Sequence, residues 1–281
     1  MKEARLLAIR FSLVTFMFLI MGSGTTKWTW DESDQKYIPD DPNDMGTLVW
    51  DKPDDLVYKL IDDNQEKNNF EVSFELSLEF HKKHKDDFQI LWRLARAYFD
   101  LSDQTLDENL QKEYIDKGLP FAKKALDINP NSAKSNHWYA VMFGRQGQLE
   151  GTKQKILNSY DMKKYCLRAI EIDPNYDGSL HVMGRWHYNV ANLSWIERNI
   201  ASLVYATPPN GSFEEAIDYF KRAVDANPKD IRHYLWLGKS LYAINDYQKA
   251  KKILDQSLNL KIDTNSDKLL RDEVISLLDK L

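Results

Sequence analysis

Apolar residues recur at helical spacing along most of the chain from residue 54 onward. Within Leu56–Ile61 they fall on one face of a helix, with a period near 3.6 residues. Phe70–Phe80 is apolar at more positions, which predicts a helix that is mostly buried. Only 11 Gly and 9 Pro occur in 281 residues, too few for a fold built on many tight turns. The pattern predicts an all-α protein.

A short motif repeats three times and marks helix ends. Ala125–Pro130 (ALDINP), Ala169–Pro174 (AIEIDP) and Ala223–Pro228 (AVDANP) share Ala, an apolar residue, an acid, a spacer, Asn or Asp, and Pro. The small residue permits close helix packing, and the proline prevents a further helical turn.

Each motif is preceded by a partner helix in which a small residue follows a larger one. These pairs, including one from a fourth copy without the proline, are Leu94-Ala95, Tyr139-Ala140, Met183-Gly184 and Leu237-Gly238. Two antiparallel helices per unit with small residues at their crossing are typical of tetratricopeptide repeats. The sequence thus predicts a tetratricopeptide-like α-solenoid over residues 54–281.

The spacing of the repeats is irregular. Pro130, Pro174 and Pro228 are 44 and 54 residues apart, whereas the usual repeat has about 34. The excess falls within the repeats, near 153–161 and 194–211, and predicts longer helices or larger loops there. Ser212 with Glu215 predicts a capping box that restarts the second helix of the third repeat, and Asn265–Leu281 predicts a terminal capping helix.

The N-terminal residues 1–24 have a different character. Lys2, Arg5 and Arg10 precede an uncharged apolar run, Phe11–Met21, which small residues follow. This order is typical of a secretory signal peptide. Counted back to Leu6 across Arg10, the run also fits a short membrane anchor, and both alternatives stay open. Residues 25–53 are rich in acids and prolines and predict an extended acidic linker.

Composition narrows the classes of function. The formal net charge of −5 argues against a nucleic-acid-binding protein, because phosphate affinity needs clustered positive charge. The single Cys166 excludes an intramolecular disulfide framework and a Cys-based zinc cluster. His181 and His187 lack metal-ligand companions at suitable spacing, and the sequence has no Gly-rich phosphate loop or nucleophile elbow. We therefore expect a non-enzymatic protein without a cofactor or metal.

Several longer segments go beyond the generic repeat. They are Leu91–Ala97, Asn136–Ala140, Gly151–Ile156, His181–Trp186, Trp195–Arg198 and Ala206–Pro209. In this order they resemble the regulator of microtubule dynamics family, over roughly 54–281. The resemblance implies a helical domain associated with microtubules and the spindle, in the cytoplasm or at mitochondrial membranes, with lipid binding in some relatives. A secreted protein would not meet microtubules, so localisation stays unassigned.

The first helix of each tetratricopeptide unit faces the concave side, where positions 2, 5, 9 and 12 of the repeat share one face. None of the sixteen side chains at these positions is acidic. They predict a basic, aromatic-lined groove whose candidate binding residues are Trp92, Arg96, Phe99, Lys134, His137, His181, Arg185, Tyr188, Arg232, Lys239 and Tyr242.

Such a groove would suit an acidic peptide segment such as a tubulin tail, or alternatively an anionic phospholipid in a secreted or membrane-associated carrier. The competing interpretation is that Arg96, Arg185 and Lys239 pair with acids of adjacent helices and only stabilise the fold. The basic run His81–Lys85 ends a predicted helix, where cations are favourable for dipole reasons; it could otherwise contact tubulin or a membrane.

Overall fold

The computed structural model describes residues 28–31, 36–39, 53–194, 198–199, 202–203, 210–262 and 265–281. The chain divides into two units, Met1–Lys59 and Leu60–Leu281. In the first unit, strand β1 (Trp28–Asp31) pairs antiparallel with β2 (Lys36–Pro39). The hairpin lies within 25–53, where composition alone predicted an extended linker. The predicted signal or anchor segment, 1–24, lies outside the described residues.

From residue 53 onward the described chain is helical. The helices are α1 (Pro53–Glu66), α2 (Phe70–Lys83), α3 (Phe88–Asp103), α4 (Glu108–Ile128), α5 (Ala133–Leu149), α6 (Thr152–Ile172), α7 (Asp177–Ala191), α8 (Phe213–Ala226), α9 (Ile231–Ala243), α10 (Tyr247–Ser257) and α11 (Asn265–Leu278). Within the described part of the chain, none of these helices has both the length and the apolar character to cross a membrane.

The helices pack in consecutive pairs, as the repeat predicts. The four pairs are α3 with α4, α5 with α6, α7 with α8 and α9 with α10. Helices α4, α6 and α8 end two residues before Pro130, Pro174 and Pro228. The prediction of an all-α, tetratricopeptide-like solenoid is confirmed.

Small residues lie where paired helices cross. Ala95 and Ala140 are fully buried. A Cβ atom on Gly184 would lie 2.6 Å from Cε1 of Phe220, and one on Gly238 would lie 2.5 Å from Cδ2 of Leu254. The absence of a side chain is thus required for the close approach of α7 to α8 and of α9 to α10.

The first insertion lengthens a helix instead of enlarging a loop. Helix α6 has 21 residues, and residues 153–161 form its first half. Asn158 from this half is buried and donates from Nδ2 to the carbonyl oxygen of Phe143 at 2.8 Å. The added turns are therefore packed against α5. Most of the second insertion, 194–211, lies outside the described residues.

Helix ends follow the local chemistry of the sequence. Ser212 accepts a hydrogen bond from the backbone N–H of Glu215 at 3.1 Å, which confirms the cap predicted for α8. Helix α11 packs on α9 and α10, and its fully buried Val274 belongs to an apolar cluster with Leu235 and Leu254. It occupies the position of the predicted capping helix.

Candidate functional site

The candidate groove residues lie on the first helices α3, α5, α7 and α9, and the structure divides them by exposure. Trp92, Arg96, His137 and His181 are buried. Lys134, Arg185 and Arg232 are exposed. The half-buried members are Phe99, Tyr188, Lys239 and Tyr242. Only the exposed and half-buried members can meet a ligand without local unfolding.

Arg96 is held in an ion-pair cluster with an acid from α1. Asp62 accepts from Nη2 of Arg96 at 2.7 Å and from Nη2 and Nε of Arg93 at 2.6 and 3.0 Å. Burial would raise the pKa of Asp62, but the two guanidinium groups outweigh burial and lower it below the ordinary value. For Arg96 the interpretation as a fold-stabilising partner of a neighbouring acid therefore holds.

Trp92 forms the base of this cationic cluster. The Arg93 and Arg96 guanidinium carbons lie 4.1 and 5.2 Å from its ring centroid, and Nζ of Lys134 lies at 4.6 Å. Burial lowers the pKa of Lys134, and the positive charges of Arg93 and Arg96 lower it further, against the attraction of Asp62. Lys134 is thus an exposed cation beside two arginines that share one carboxylate.

Arg185 lies beside other cations and against an aromatic ring of the groove. Its guanidinium carbon lies 4.6 Å from the centroid of Trp236, and Nζ of Lys239 lies 4.3 Å from the same ring. Burial lowers the pKa of Arg185 most, and the charges of Arg145 and Arg232 lower it further. The side chain is exposed, yet desolvation dominates its pKa, as expected in a concave surface. Within the described residues no carboxylate forms an ion pair with it.

The other two cations of this region have acidic partners. Arg232 donates to both carboxylate oxygens of Asp230, from Nη2 to Oδ2 at 2.5 Å and from Nε to Oδ1 at 3.0 Å. Lys239 donates to Oε1 of Glu273 on α11 at 2.6 Å. Their positive charge is therefore partly compensated, whereas Arg185 has no ion-pair partner within the described residues.

Acidic residues outside repeat positions 2, 5, 9 and 12 also face the groove. Burial raises the pKa of Asp100 to about 7, against the opposing charges of Arg96 and Arg232. Asp100 lies on α3 and Arg232 on α9, so side chains of the first and fourth repeats share one electrostatic environment. Asp103 likewise acts on Arg185. The groove is basic in balance, but it is not free of carboxylates.

His137 and His181 belong to the junctions between repeats instead of the groove surface. Nδ1 of His137 lies 2.9 Å from Oγ of Ser179, and burial lowers the pKa of His137 to about 4. Nδ1 of His181 lies 3.0 Å from Nδ1 of His233. Both rings are therefore neutral packing groups that link one repeat to the next.

His233 extends this junction to two acids. Its Nε2 lies 3.2 Å from Oδ2 of Asp177 and 3.6 Å from Oδ2 of Asp230. The ligand atoms of these three residues lie within 4.8 Å of one another, close enough to hold a cation. Asp177 also accepts a hydrogen bond from Asn227, and Asp230 accepts one from Arg232. Hydrogen bonds and ion pairs that join the third and fourth repeats therefore explain why these three residues lie together.

The basic run His81–Lys85 and the single cysteine, Cys166, both make contacts that stabilise the fold. The basic run includes the last turn of α2, where His81 packs edge-on against Phe121, and Lys124 donates to the Lys85 carbonyl at 3.0 Å. Cys166 is fully buried, and burial raises its pKa to about 12. The thiol therefore stays protonated, as expected for a core residue and not for a nucleophile.

Comparisons with known proteins place these observations in a family. The family model described as regulator of microtubule dynamics protein 1-3 matches residues 56–281. Regulator of microtubule dynamics protein 1 of Bos taurus is 36% identical over 198 residues, which are 70% of this chain and 62% of the relative. The protein of the same name from Caenorhabditis elegans is 33% identical over 211 residues, which are 74% of this chain and 93% of the relative. The match thus spans less than two thirds of the Bos taurus relative but nearly all of the nematode one.

A solved structure supports the fold. A tetratricopeptide-repeat protein from Thermus thermophilus superposes with a TM-score of 0.57 at 13% identity, covering 79% of this chain and 97% of that protein. At this identity the likeness concerns the fold alone.

Proposed function

Because the chain belongs to the regulator of microtubule dynamics family, we propose that it is a non-enzymatic scaffold that binds acidic protein segments through the groove of its first helices. The observation that carries the proposal is Arg185, an exposed guanidinium that lies against Trp236 and has no ion-pair partner among the described residues. The positive charges of Arg145 and Arg232 lower the pKa of Arg185, each by more than the charges of Asp103 and Glu273 raise it. An anionic ligand would relieve this repulsion.

The ligand chemistry follows from the groups present. A guanidinium binds a carboxylate through two parallel hydrogen bonds, and a nearby aromatic ring restricts its orientation. Lys239 lies against the same ring, and half-buried Tyr188 packs edge-on against it at 5.3 Å. This combination suits an extended segment that carries acidic and apolar side chains. Acidic tubulin tails have this chemistry, and the names of the relatives favour microtubules as the partner.

The arrangement favours binding over catalysis. Cys166 is a buried protonated thiol, and His137 and His181 are buried neutral rings. These groups lack the exposure that a nucleophile or a general base needs to reach a substrate.

The test is co-sedimentation with microtubules using Arg185→Glu. Arg96 is unsuitable for reversal, because the change would also disrupt its ion pair with Asp62. We expect Arg185→Glu to weaken binding at least tenfold, and removal of the tubulin tails by limited proteolysis to weaken wild-type binding similarly. The matched control is Lys221→Glu on α8, an exposed cation that the groove does not include.

Two results would redirect the proposal. Equal co-sedimentation of wild type and Arg185→Glu would remove the groove from microtubule binding. If Arg185→Glu instead abolished binding only to vesicles containing anionic phospholipid, the alternative of a lipid carrier would replace the scaffold.

A further inference from the structure

A second concave surface lies away from the groove, between the second helices of the first two repeats. It is an open cleft with a volume of about 720 Å³. Lys123 and Leu126 of α4 line one side, and Lys164, Leu167 and Arg168 of α6 line the other. None of the groove cations on the first helices contributes to it. A ligand in this cleft would therefore not compete with a ligand in the groove.

The base of the cleft is apolar. Leu126 is buried, whereas Leu167 keeps 38% of its surface exposed and Pro130 is also exposed. The Tyr165 ring, half-buried, packs edge-on against Tyr139 with a centroid distance of 4.8 Å and is thereby fixed. The volume lies within the range of roughly 300–1,000 Å³ typical of small-ligand pockets, enough for one or two large side chains of a partner.

The rim of the cleft has an excess of positive charge. Its two acids are each paired within their own helix: Asp127 with Lys123, and Glu171 with Arg168 at 2.7 Å. Arg168 also donates to Oδ1 of Asn131 at 2.8 Å, which fixes its position across the cleft. The third cation, Lys164, lies 5.2 Å from the Tyr165 ring and forms no ion pair within the described residues. Its charge is uncompensated.

We propose that this cleft docks an acidic segment of a partner protein, with one large apolar side chain on Leu126, Pro130 and Leu167 and a carboxylate on Lys164. The charge of Lys164 selects acidic partners, and the partly exposed Leu167 gains from the burial of its remaining apolar surface. With the groove, the solenoid would then carry two separate docking surfaces, as a protein that bridges two partners requires.

The test uses a defined probe on the full chain. The probe is a twelve-residue peptide of glutamates around one central p-benzoylphenylalanine, which crosslinks to nearby residues on irradiation. A peptide with lysines in place of the glutamates is the charge control. Mass spectrometry of the digested product locates the crosslink. We expect crosslinks within 123–136 and 164–171, and at least a fivefold lower yield there in Lys164→Glu.

Three variants make the result specific. Lys164→Arg preserves the charge and should retain the yield. Lys153→Glu makes the same charge reversal on an exposed position of α6 outside the cleft and should also retain it. Arg185→Glu should lower crosslinking in the groove but not in the cleft, so that failure of one surface is distinguished from failure of the other.

The proposal is overturned if the glutamate probe crosslinks only to the groove, if the lysine probe labels the cleft equally well, or if Lys164→Glu and Lys153→Glu give the same yield. Because Lys164 is exposed and its one contact given among the described residues is with the Tyr165 ring, its substitution should leave the fold intact, which circular dichroism checks.

Discussion

The guanidinium carbon of Arg185 lies 4.6 Å from the ring centroid of Trp236, and these residues come from the first helices of consecutive repeats, α7 and α9. The Trp236 ring also stacks on Phe220 of α8 at a centroid distance of 6.2 Å. A core side chain thus holds the ring that orients the arginine, so the position of the charge depends on the packing of the third and fourth repeats.

Trp236→Leu should therefore weaken binding of an acidic peptide without reversing any charge. A cation–π contact of about 1 kcal/mol corresponds to a loss of roughly fivefold in affinity. The matched control is Trp138→Leu, which removes a half-buried tryptophan from the equivalent position of the second repeat, where its ring packs on Phe99. Fluorescence anisotropy of a labelled polyglutamate peptide measures both. Equal losses would mean that the ring acts through stability alone.

Asp62→Asn should lower stability more than the loss of a surface ion pair does. The change leaves Arg93 and Arg96, both buried, without their shared carboxylate. Breaking such a pair costs about 3 kcal/mol. Glu113→Gln, which breaks the exposed Lys117–Glu113 pair, should change the stability very little, because solvent screens that pair. Urea unfolding compares the two, and a similar midpoint shift in both variants would contradict the expectation.

Asp100 should make stability fall as pH rises. Its pKa is raised to about 7 in the fold, from an ordinary value near 3.8, so the folded state holds a proton that the unfolded state releases. The contribution of Asp100 is fully present below pH 4 and is lost as pH rises through 7. Asp100→Asn should accordingly stabilise the protein at pH 8 by at most about 4 kcal/mol and have little effect at pH 4.

Thermal unfolding of wild type and Asp100→Asn between pH 4 and pH 8 measures the difference in their stability at each pH. Because the other acids titrate in both proteins, their contribution cancels in this difference. Groups that face Asp100 include Gln65, Arg96, Asp103 and Arg232, and they are unchanged in the variant. A difference independent of pH would show that the pKa of Asp100 is the same in the folded and unfolded states, which would contradict the expectation.

Gly184→Ala should destabilise the crossing of α7 and α8. The added methyl would lie 2.6–2.8 Å from three atoms of the Phe220 ring, so the ring or a helix must move. Such overpacking costs roughly 1–3 kcal/mol. In the double variant with Phe220→Leu, the added cost of Gly184→Ala should shrink, because the smaller side chain leaves space. Strict additivity in a double-mutant cycle of urea unfolding would disprove the steric cause.

Ser212→Ala should cost about 1 kcal/mol, because the first turn of α8 loses its side-chain acceptor. Ser212→Asp keeps an acceptor at the same position and should retain most of the stability. Chemical denaturation of both variants measures the difference. If Asp and Ala were equally destabilising, the hydroxyl would act through some contact other than the cap.

The sequence predicts the fold well because local signals agree with one another. The prolines ended the helices where expected, and Gly184 and Gly238 lie at crossings because a side chain there would overlap Phe220 or Leu254. The added turns of α6 could have formed either a helix or a loop, and buried Asn158 shows why the helix forms: it bonds to the Phe143 carbonyl on α5.

The site was predicted less completely, since charge compensation depends on tertiary contacts. The acidic partners of Arg96 and Lys239 are Asp62 and Glu273, each 34 residues away on a helix outside the four repeats. The pattern along the first helices alone therefore could not identify them. Other omissions had a readable signal. Asp100 lies four residues after the candidate groove residue Arg96, and hence on the same helix face. Trp236 follows Arg232 by the same interval.

The side-chain contacts of His233 with His181 and Asp177 affect how the C-terminal repeats unfold. His233 is fully buried, and its two ring nitrogens bond to residues of the preceding repeat. Fraying of α9 would therefore take away the ring partner of His181 and one of the hydrogen bonds of Asp177, which would keep its bond from Asn227. In many repeat proteins the last unit opens alone. Here the third and fourth repeats should instead exchange their amide hydrogens together, as a single cooperative block.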